Sequence, residues 1–193
     1  MDDKGSIRTF LAIEIPSHIL NEIGSLQSRL KRRLQGMVRW VRPEAIHLTL
    51  KFFGNVSEKD IAEISRIMEE QVNGIRPFAF HVKKLGVFPN MNRPRILWLG
   101  ISGDVDALIV FQNSMEQKLQ GGGFHKEARP FSPHLTLARI KEPKGLIGLA
   151  KIIEKSDNYT AGHFDAEGLH LFRSQLTPQG AVYTKLAYFP FSG

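Results

Sequence analysis

Hydrophobic spacing changes period several times along the chain, and each change marks an element. Residues 7–15 are dense in β-branched and aromatic side chains and predict a strand that Pro16 ends. Ile19, Leu20, Ile23, Leu26, Leu30 and Leu34 then recur at helical steps, with Ser17 placed as the cap and Gly36 as the stop. Short and longer strands follow at 38–41 and 46–53, the second closed by Gly54-Asn55. Ser57 with Asp60 reads as a capping box opening a helix to about Val72. Strands at 78–87 and 95–101 and a helix at 104–119 complete the first pass. Beyond Gly121-Gly122-Gly123 the order recurs: strand 131–140, helix 146–155, strand 163–172, strand 181–189.

That recurrence extends to residues. Arg42-Pro43, His47-Leu48-Thr49-Leu50 and Arg129-Pro130, His134-Leu135-Thr136-Leu137 match at six positions, all 87 residues apart. Leu85-Gly-Val-Phe88 matches Leu169-His-Leu-Phe172 at an offset of 84. No low-complexity segment or long linker separates the halves. The expected organisation is one bilobal domain over 1–193, with a first motif half at about 38–101 and a second at about 125–189.

The duplicated unit carries chemistry. Seven His and six Thr would give roughly 0.2 His-x-Thr pairs by chance, whereas two occur in matched settings. Strand alternation sends Leu48, Leu50, Leu135 and Leu137 to one face, and His47, Thr49, His134 and Thr136 to the other. Preserved core packing alone leaves an imidazole and a hydroxyl on that second face unexplained. Imidazole titrates near neutral pH, so two can divide one task, one as base and one as acid. A Thr hydroxyl two residues on can hold a phosphoryl oxygen, and facing dyads suit in-line attack at phosphorus. Neither dyad brings a carboxylate or third His at ligand spacing, so neither a metal nor a cofactor is expected.

Composition narrows the setting. The 193 residues include no Cys, which removes disulfides, thiolate metal sites and cysteine nucleophiles. No apolar run reaches the roughly 18 residues of a membrane span, and the acidic start lacks a secretory pattern, so the expected location is cytoplasmic. A net charge of +7 favours polyanionic partners. Between Glu22 and Glu44 six Lys or Arg occur without an acid, either as a solvated helix face or as a phosphate-tracking patch. His18 reads as solvent-facing, His81, His163 and His170 as packing residues, and His125 as a loop residue able to touch substrate. Trp40 and Trp98 read as base-stacking residues or buried strand aromatics.

These residues carry a resemblance. The two His-x-Thr motifs resemble those defining the two-histidine (2H) phosphoesterase superfamily. Arg8–Ile13, Arg39–Glu44, Lys51–Gly54, Arg93–Trp98, Arg129–Arg139 and Ser174–Tyr183 resemble its bacterial and archaeal RNA 2′,3′-cyclic phosphodiesterases, historically termed 2′-5′ RNA ligases. The resemblance implies an α+β fold of two pseudo-twofold-related lobes, each an antiparallel sheet with outer helices, around a central cleft. It implies hydrolysis of RNA ending in a 2′,3′-cyclic phosphate to a 2′-phosphate; the expected enzyme is a monomer that needs no metal. It casts His47 as proton donor to the departing 3′ oxygen, His134 as the base activating water, and Thr49, Thr136 and Arg139 as phosphate contacts. Arg139 lies three residues past Thr136, so it shares the face of Thr136 only through a bulge or a long reach. Joining of tRNA halves through a 2′-5′ linkage, and non-catalytic RNA or nucleotide binding, are the competing classes. Intact histidines weigh against the last.

Overall fold

The computed structural model describes residues 6–143, 146–178 and 180–193; the signal reading of Met1 to Gly5 and Gln179 of the last matching stretch lie outside the described residues. One sheet pairs β1 (Ile7–Glu14), β3 (His47–Val56), β8 (Gly168–Thr177) and β9 (Gly180–Pro190) in the order β3-β1-β8-β9. The second pairs β2 (Val38–Trp40), β4 (Phe78–Phe88), β5 (Ile96–Gly103), β6 (His134–Ile140) and β7 (Thr160–Ala166) in the order β2-β6-β5-β4-β7. All neighbours are antiparallel. Among the described residues four α-helices complete the α+β fold: α1 (Ser17–Lys31), α2 (Glu58–Val72), α3 (Val105–Gly121) and α4 (Leu149–Glu154).

The two halves of the chain exchange strands. β3 lies in the first sheet while β4 and β5, which follow it, lie in the second. β6 lies in the second while β8 and β9 return to the first. Each sheet is therefore closed by strands from both halves, around one continuous core that joins Leu11 and Leu48 to Leu97 and Leu135. A smaller cluster of Phe10, Ala12 and Phe172 lies apart, with Tyr183 against it. Leu11 and Ile13 join the large core while Phe10 and Ala12 join the small one, so β1 is buried on both faces, as a central strand must be.

Several boundaries differ from the periodicity reading. Ser17 is the first residue inside α1 rather than its cap; Pro16 holds the cap position and its carbonyl accepts the Leu20 N–H at 3.0 Å. α1 ends at Lys31, five residues before Gly36, because Gln35 exchanges two backbone hydrogen bonds with Ile147 instead of continuing the helix. Gly54 does not close β3; with φ of 75° it bends the strand, which continues to Val56. The predicted strand 163–172 is two strands, β7 and β8, in different sheets. Phe164 and Ala166 are buried at even positions and Leu169 and Leu171 at odd ones, so the alternation changes parity at the break. The capping box is present, with Ser57 Oγ accepting from the Asp60 N–H at 3.1 Å and Asp60 Oδ2 from the Ser57 N–H at 2.8 Å.

Candidate active site

The two motif strands are built alike. Leu48 and Leu135 are fully buried in the core, while His47, Thr49, His134 and Thr136 face a cleft of about 460 Å³. Each imidazole is pinned by the carbonyl two residues before it: His47 Nδ1–H donates to Ala45 at 3.0 Å and His134 Nδ1–H to Ser132 at 2.7 Å. A carbonyl only accepts, so both Nδ1 atoms carry protons and Nε2 is the nitrogen left for a substrate.

Both strands then bulge at the same motif position. β1 pairs Ala12 with Thr49 and Leu11 with Lys51, skipping Leu50; β5 pairs Trp98 with Thr136 and Leu97 with Ala138, skipping Leu137. The extra residue shifts the alternation by one. Arg139 thereby shares the cleft face with Thr136, and Phe52, its counterpart 87 residues earlier, shares it with Thr49. The same shift turns Lys51 inward, where its Nζ donates to Glu116 Oε2 at 2.8 Å and to the His125 carbonyl at 2.7 Å. That pair holds the loop leading into the second motif against the first motif's strand.

Each bulge carbonyl is satisfied by a buried glutamine on a helix remote in sequence. Gln112 Nε2 of α3 donates to the Leu50 carbonyl at 3.2 Å, and Gln27 Nε2 of α1 to the Leu137 carbonyl at 3.0 Å. Aromatic contacts cross between the halves. Phe172 of the second half lies 6.3 Å from His47, ring centroid to centroid, and Phe88 of the first half lies 5.0 Å from His134. Trp98 braces Phe88 at 5.1 Å and lies over Gly86, where any Cβ would run into its ring.

Around these parallels the surroundings diverge. His47 is stacked on Phe10 at 4.6 Å with Tyr183 edge-on at 5.1 Å. Burial pushes its imidazole down to about 4, against the upward pull of the Ala45 hydrogen bond. His134 is also held below the ordinary imidazole value, chiefly by burial; the Ser132 bond opposes this and the Arg139 charge adds to it. Burial raises the Tyr183 phenol, with Arg139, Arg8 and Arg42 pulling the other way. Four arginines, Arg8, Arg39, Arg42 and Arg139, line the cleft, and no carboxylate does among the described residues. Among the described residues no group of three His, Cys, Asp or Glu is placed to hold a metal ion.

All five site residues named from sequence thus line one cleft. Arg39 and Arg42 come from the basic window, whereas the exposed Phe52 and the glutamines behind the bulges were not singled out. A polar residue interrupting an apolar helix face (Gln27 beside Leu26 and Leu30, Gln112 beside Phe111 and Met115) was the available signal for the glutamines. Trp40 lines the cleft, and Lys31 Nζ lies 5.7 Å from its ring centre. His125 meets Lys51 through its carbonyl and does not line the cleft. His18, His81 and His163 are exposed; His170 packs on Tyr188 at 4.6 Å.

The family model described as LigT like Phosphoesterase matches the chain twice, over residues 13–98 and 99–183. An RNA 2′,3′-cyclic phosphodiesterase of Methanothermobacter thermautotrophicus is 33% identical over 183 residues, spanning 95% of this chain and 98% of its own. One of Methanocaldococcus jannaschii is 36% identical over 177 residues, spanning 92% and 96%. In fold the chain is similar to Escherichia coli LigT solved with 3′-AMP, at a TM-score of 0.77 and 22% identity over 97% of this chain and 99% of that one. No helix among the described residues is long and apolar enough to cross a membrane.

Proposed function

The chain belongs to the LigT-like phosphoesterase family, and on that premise we propose that it hydrolyses the 2′,3′-cyclic phosphate at an RNA end to a 2′-phosphate by acid–base catalysis between His47 and His134. The observation that carries this reading is the pair of equivalently pinned imidazoles in an arginine-lined cleft that no carboxylate lines among the described residues. With none there, imidazole is the base at hand. Four guanidiniums supply the positive field that a phosphodiester needs.

His134 is the better base. Burial and the Arg139 charge keep it neutral at pH 7, and its Nε2 lone pair is free to accept a proton. Water attacks phosphorus as His134 takes its proton. The bond from phosphorus to O3′ breaks in line, and O3′ receives a proton from His47 Nε2. A 2′-phosphate and a 3′-hydroxyl result. His47 must be doubly protonated to serve as this acid. The anionic substrate supplies the stabilising charge that the apolar surroundings of His47 lack, so its entry raises the His47 pKa toward the working range. Thr49 and Thr136 hold the non-bridging oxygens from their matched positions. Phe52, 57% exposed at the cleft edge, offers a flat apolar face for the terminal base.

The test is hydrolysis of a cyclic-phosphate oligonucleotide in EDTA. Undiminished turnover yielding a 2′-phosphate is expected. Activity that vanishes with EDTA and returns with a divalent ion defeats the metal-free mechanism, and a 3′-phosphate product reverses the leaving oxygen.

A further inference from the structure

A second hollow of about 550 Å³ lies between α1 and α4, lined by residues distinct from those of the cleft. Its rim carries Arg29 and Arg33 from α1 and the turn after it, and Lys151 and Lys155 from α4 and its cap, over a floor that includes Leu30, Leu85 and Ile152. Each helix thus brings two cations at i, i+4 to one concavity, a spacing at which like charges repel. No carboxylate lines it among the described residues; Glu22 of α1 influences Tyr159 by its charge but is not part of the wall. None of the four cations forms an ion pair among the described residues. The two helices are fixed relative to one another by the paired Gln35 and Ile147 backbone bonds of 3.2 and 3.0 Å, so the cations are gathered before any ligand arrives.

A second observation points to a missing acceptor. The Tyr159 hydroxyl in the wall of this hollow is buried and feels the Arg29 guanidinium as a donor, 6.0 Å from its ring centre, while its own proton has no acceptor among the described residues. A phenol donor beside four such cations is a set suited to phosphate oxygens.

The hollow is also connected to the cleft by the chain itself. Arg33 lines the hollow and Arg39 the cleft. They are six steps apart along the chain, so their Cα atoms are at most about 20 Å apart. At a rise of about 3.4 Å per stacked nucleotide, roughly six nucleotides cover that distance. Lys31, over Trp40, lies next to that segment.

We propose that this hollow is a second phosphate-binding site, which grips the backbone of the same RNA a few nucleotides upstream of the end held in the cleft. The inference rests on the RNA reading above. It makes the enzyme's affinity depend on RNA length, with a step within about six nucleotides, while leaving chemistry at the terminal phosphate unaffected.

The experiment compares the intact protein with a Lys151→Glu/Lys155→Glu variant, reading binding by fluorescence anisotropy across a salt series. The ligands are RNAs ending in a 2′-phosphate, about two and about 12 nucleotides long, chosen to lie on either side of the roughly six-nucleotide span. The long RNA is expected to bind the variant at least tenfold more weakly, with a salt slope reduced by about 1.4, or about 0.7 for each phosphate no longer neutralised. The short RNA is expected to bind both proteins alike. Equal affinities of the two proteins for the long RNA overturn the proposal. Saturable binding of inorganic phosphate that the variant loses while long-RNA affinity is unchanged also overturns it, in favour of a free-phosphate site. Hydrolysis of a mononucleoside 2′,3′-cyclic phosphate at the wild-type rate certifies the variant's fold, with a Lys151→Gln/Lys155→Gln variant as a milder replacement. Because binding is read with uncleavable ends, loss of the length effect tests the hollow, and failure of either protein to hydrolyse any cyclic phosphate tests the functional reading separately.

Discussion

The strands β3 and β6 share a motif, a pinned imidazole, a bulge and a glutamine behind it, yet they hold their histidines in different surroundings. His47 sits among Phe10, Phe172 and Tyr183, whereas His134 meets Phe88 and the charge of Arg139. Two positions past each bulged leucine, one strand presents Phe52 and the other Arg139. The duplicated strands present two copies of one geometry, and under the proposed mechanism divergence at the neighbours gives the copies different work. The apolar side suits a nucleobase and an acid charged only when substrate is bound; the cationic side suits a base kept neutral. Remote helices support both copies, since each bulge carbonyl accepts from a buried glutamine, Gln112 at Leu50 and Gln27 at Leu137.

The largest effect expected from breaking this pair is on rate. His47→Ala and His134→Ala should each lower kcat about 10²–10⁴-fold, the usual contribution of a proton-transfer group. Circular dichroism should show both variants folded. If either keeps near-wild-type turnover, the division of labour between the strands is wrong.

The electrostatic contrast can be read from stability. A His whose folded pKa lies below its unfolded value leaves the folded state unaffected above about pH 6.5. As pH falls toward about 4, the unfolded chain binds a proton that the folded protein resists, so stability drops. For His47 the full loss amounts to about 3 kcal/mol. Urea unfolding of the His47→Asn variant at about pH 7.5 and about pH 4.5 should therefore show a smaller acid-induced loss than wild type. Equal losses in the two proteins would remove burial as the cause of the contrast.

Smallest is the effect at the twin positions. Phe52→Ala should raise KM about tenfold with kcat little changed, as expected when contact with an unreacting base is removed. Arg139→Gln should instead lower kcat and raise the pKa that governs the low-pH limb of the rate profile, because the charge that helps keep His134 neutral is gone. Steady-state kinetics across pH separates the two; identical responses would erase the distinction between the strands.

Much of this molecule was legible in the chain. Period-two alternation put Leu48 and Leu135 in the core and the His-x-Thr side chains on the opposite face, because alternation follows from local backbone geometry. The helical stripe of α1 and the capping box of α2 were legible for the same reason. Arg139 posed a parity problem, and the sequence supplied the alternatives of a bulge or a long reach. The 163–172 segment carried its break only as a change of parity, from buried 164 and 166 to buried 169 and 171, with no proline between them to end the first strand.

The sequence by itself determined a duplicated strand unit, a pair of imidazole–hydroxyl dyads and an excess of positive charge. The tertiary structure decided the rest: which sheet each strand joins, that the dyads share one cleft, where Leu50 and Leu137 bulge, and how far His47 is desolvated. The physical reason is range. Side-chain direction along a strand is set by its own residues, whereas strand exchange and desolvation depend on partners such as Phe172 for His47 and Gln27 for Leu137, more than a hundred residues away along the chain.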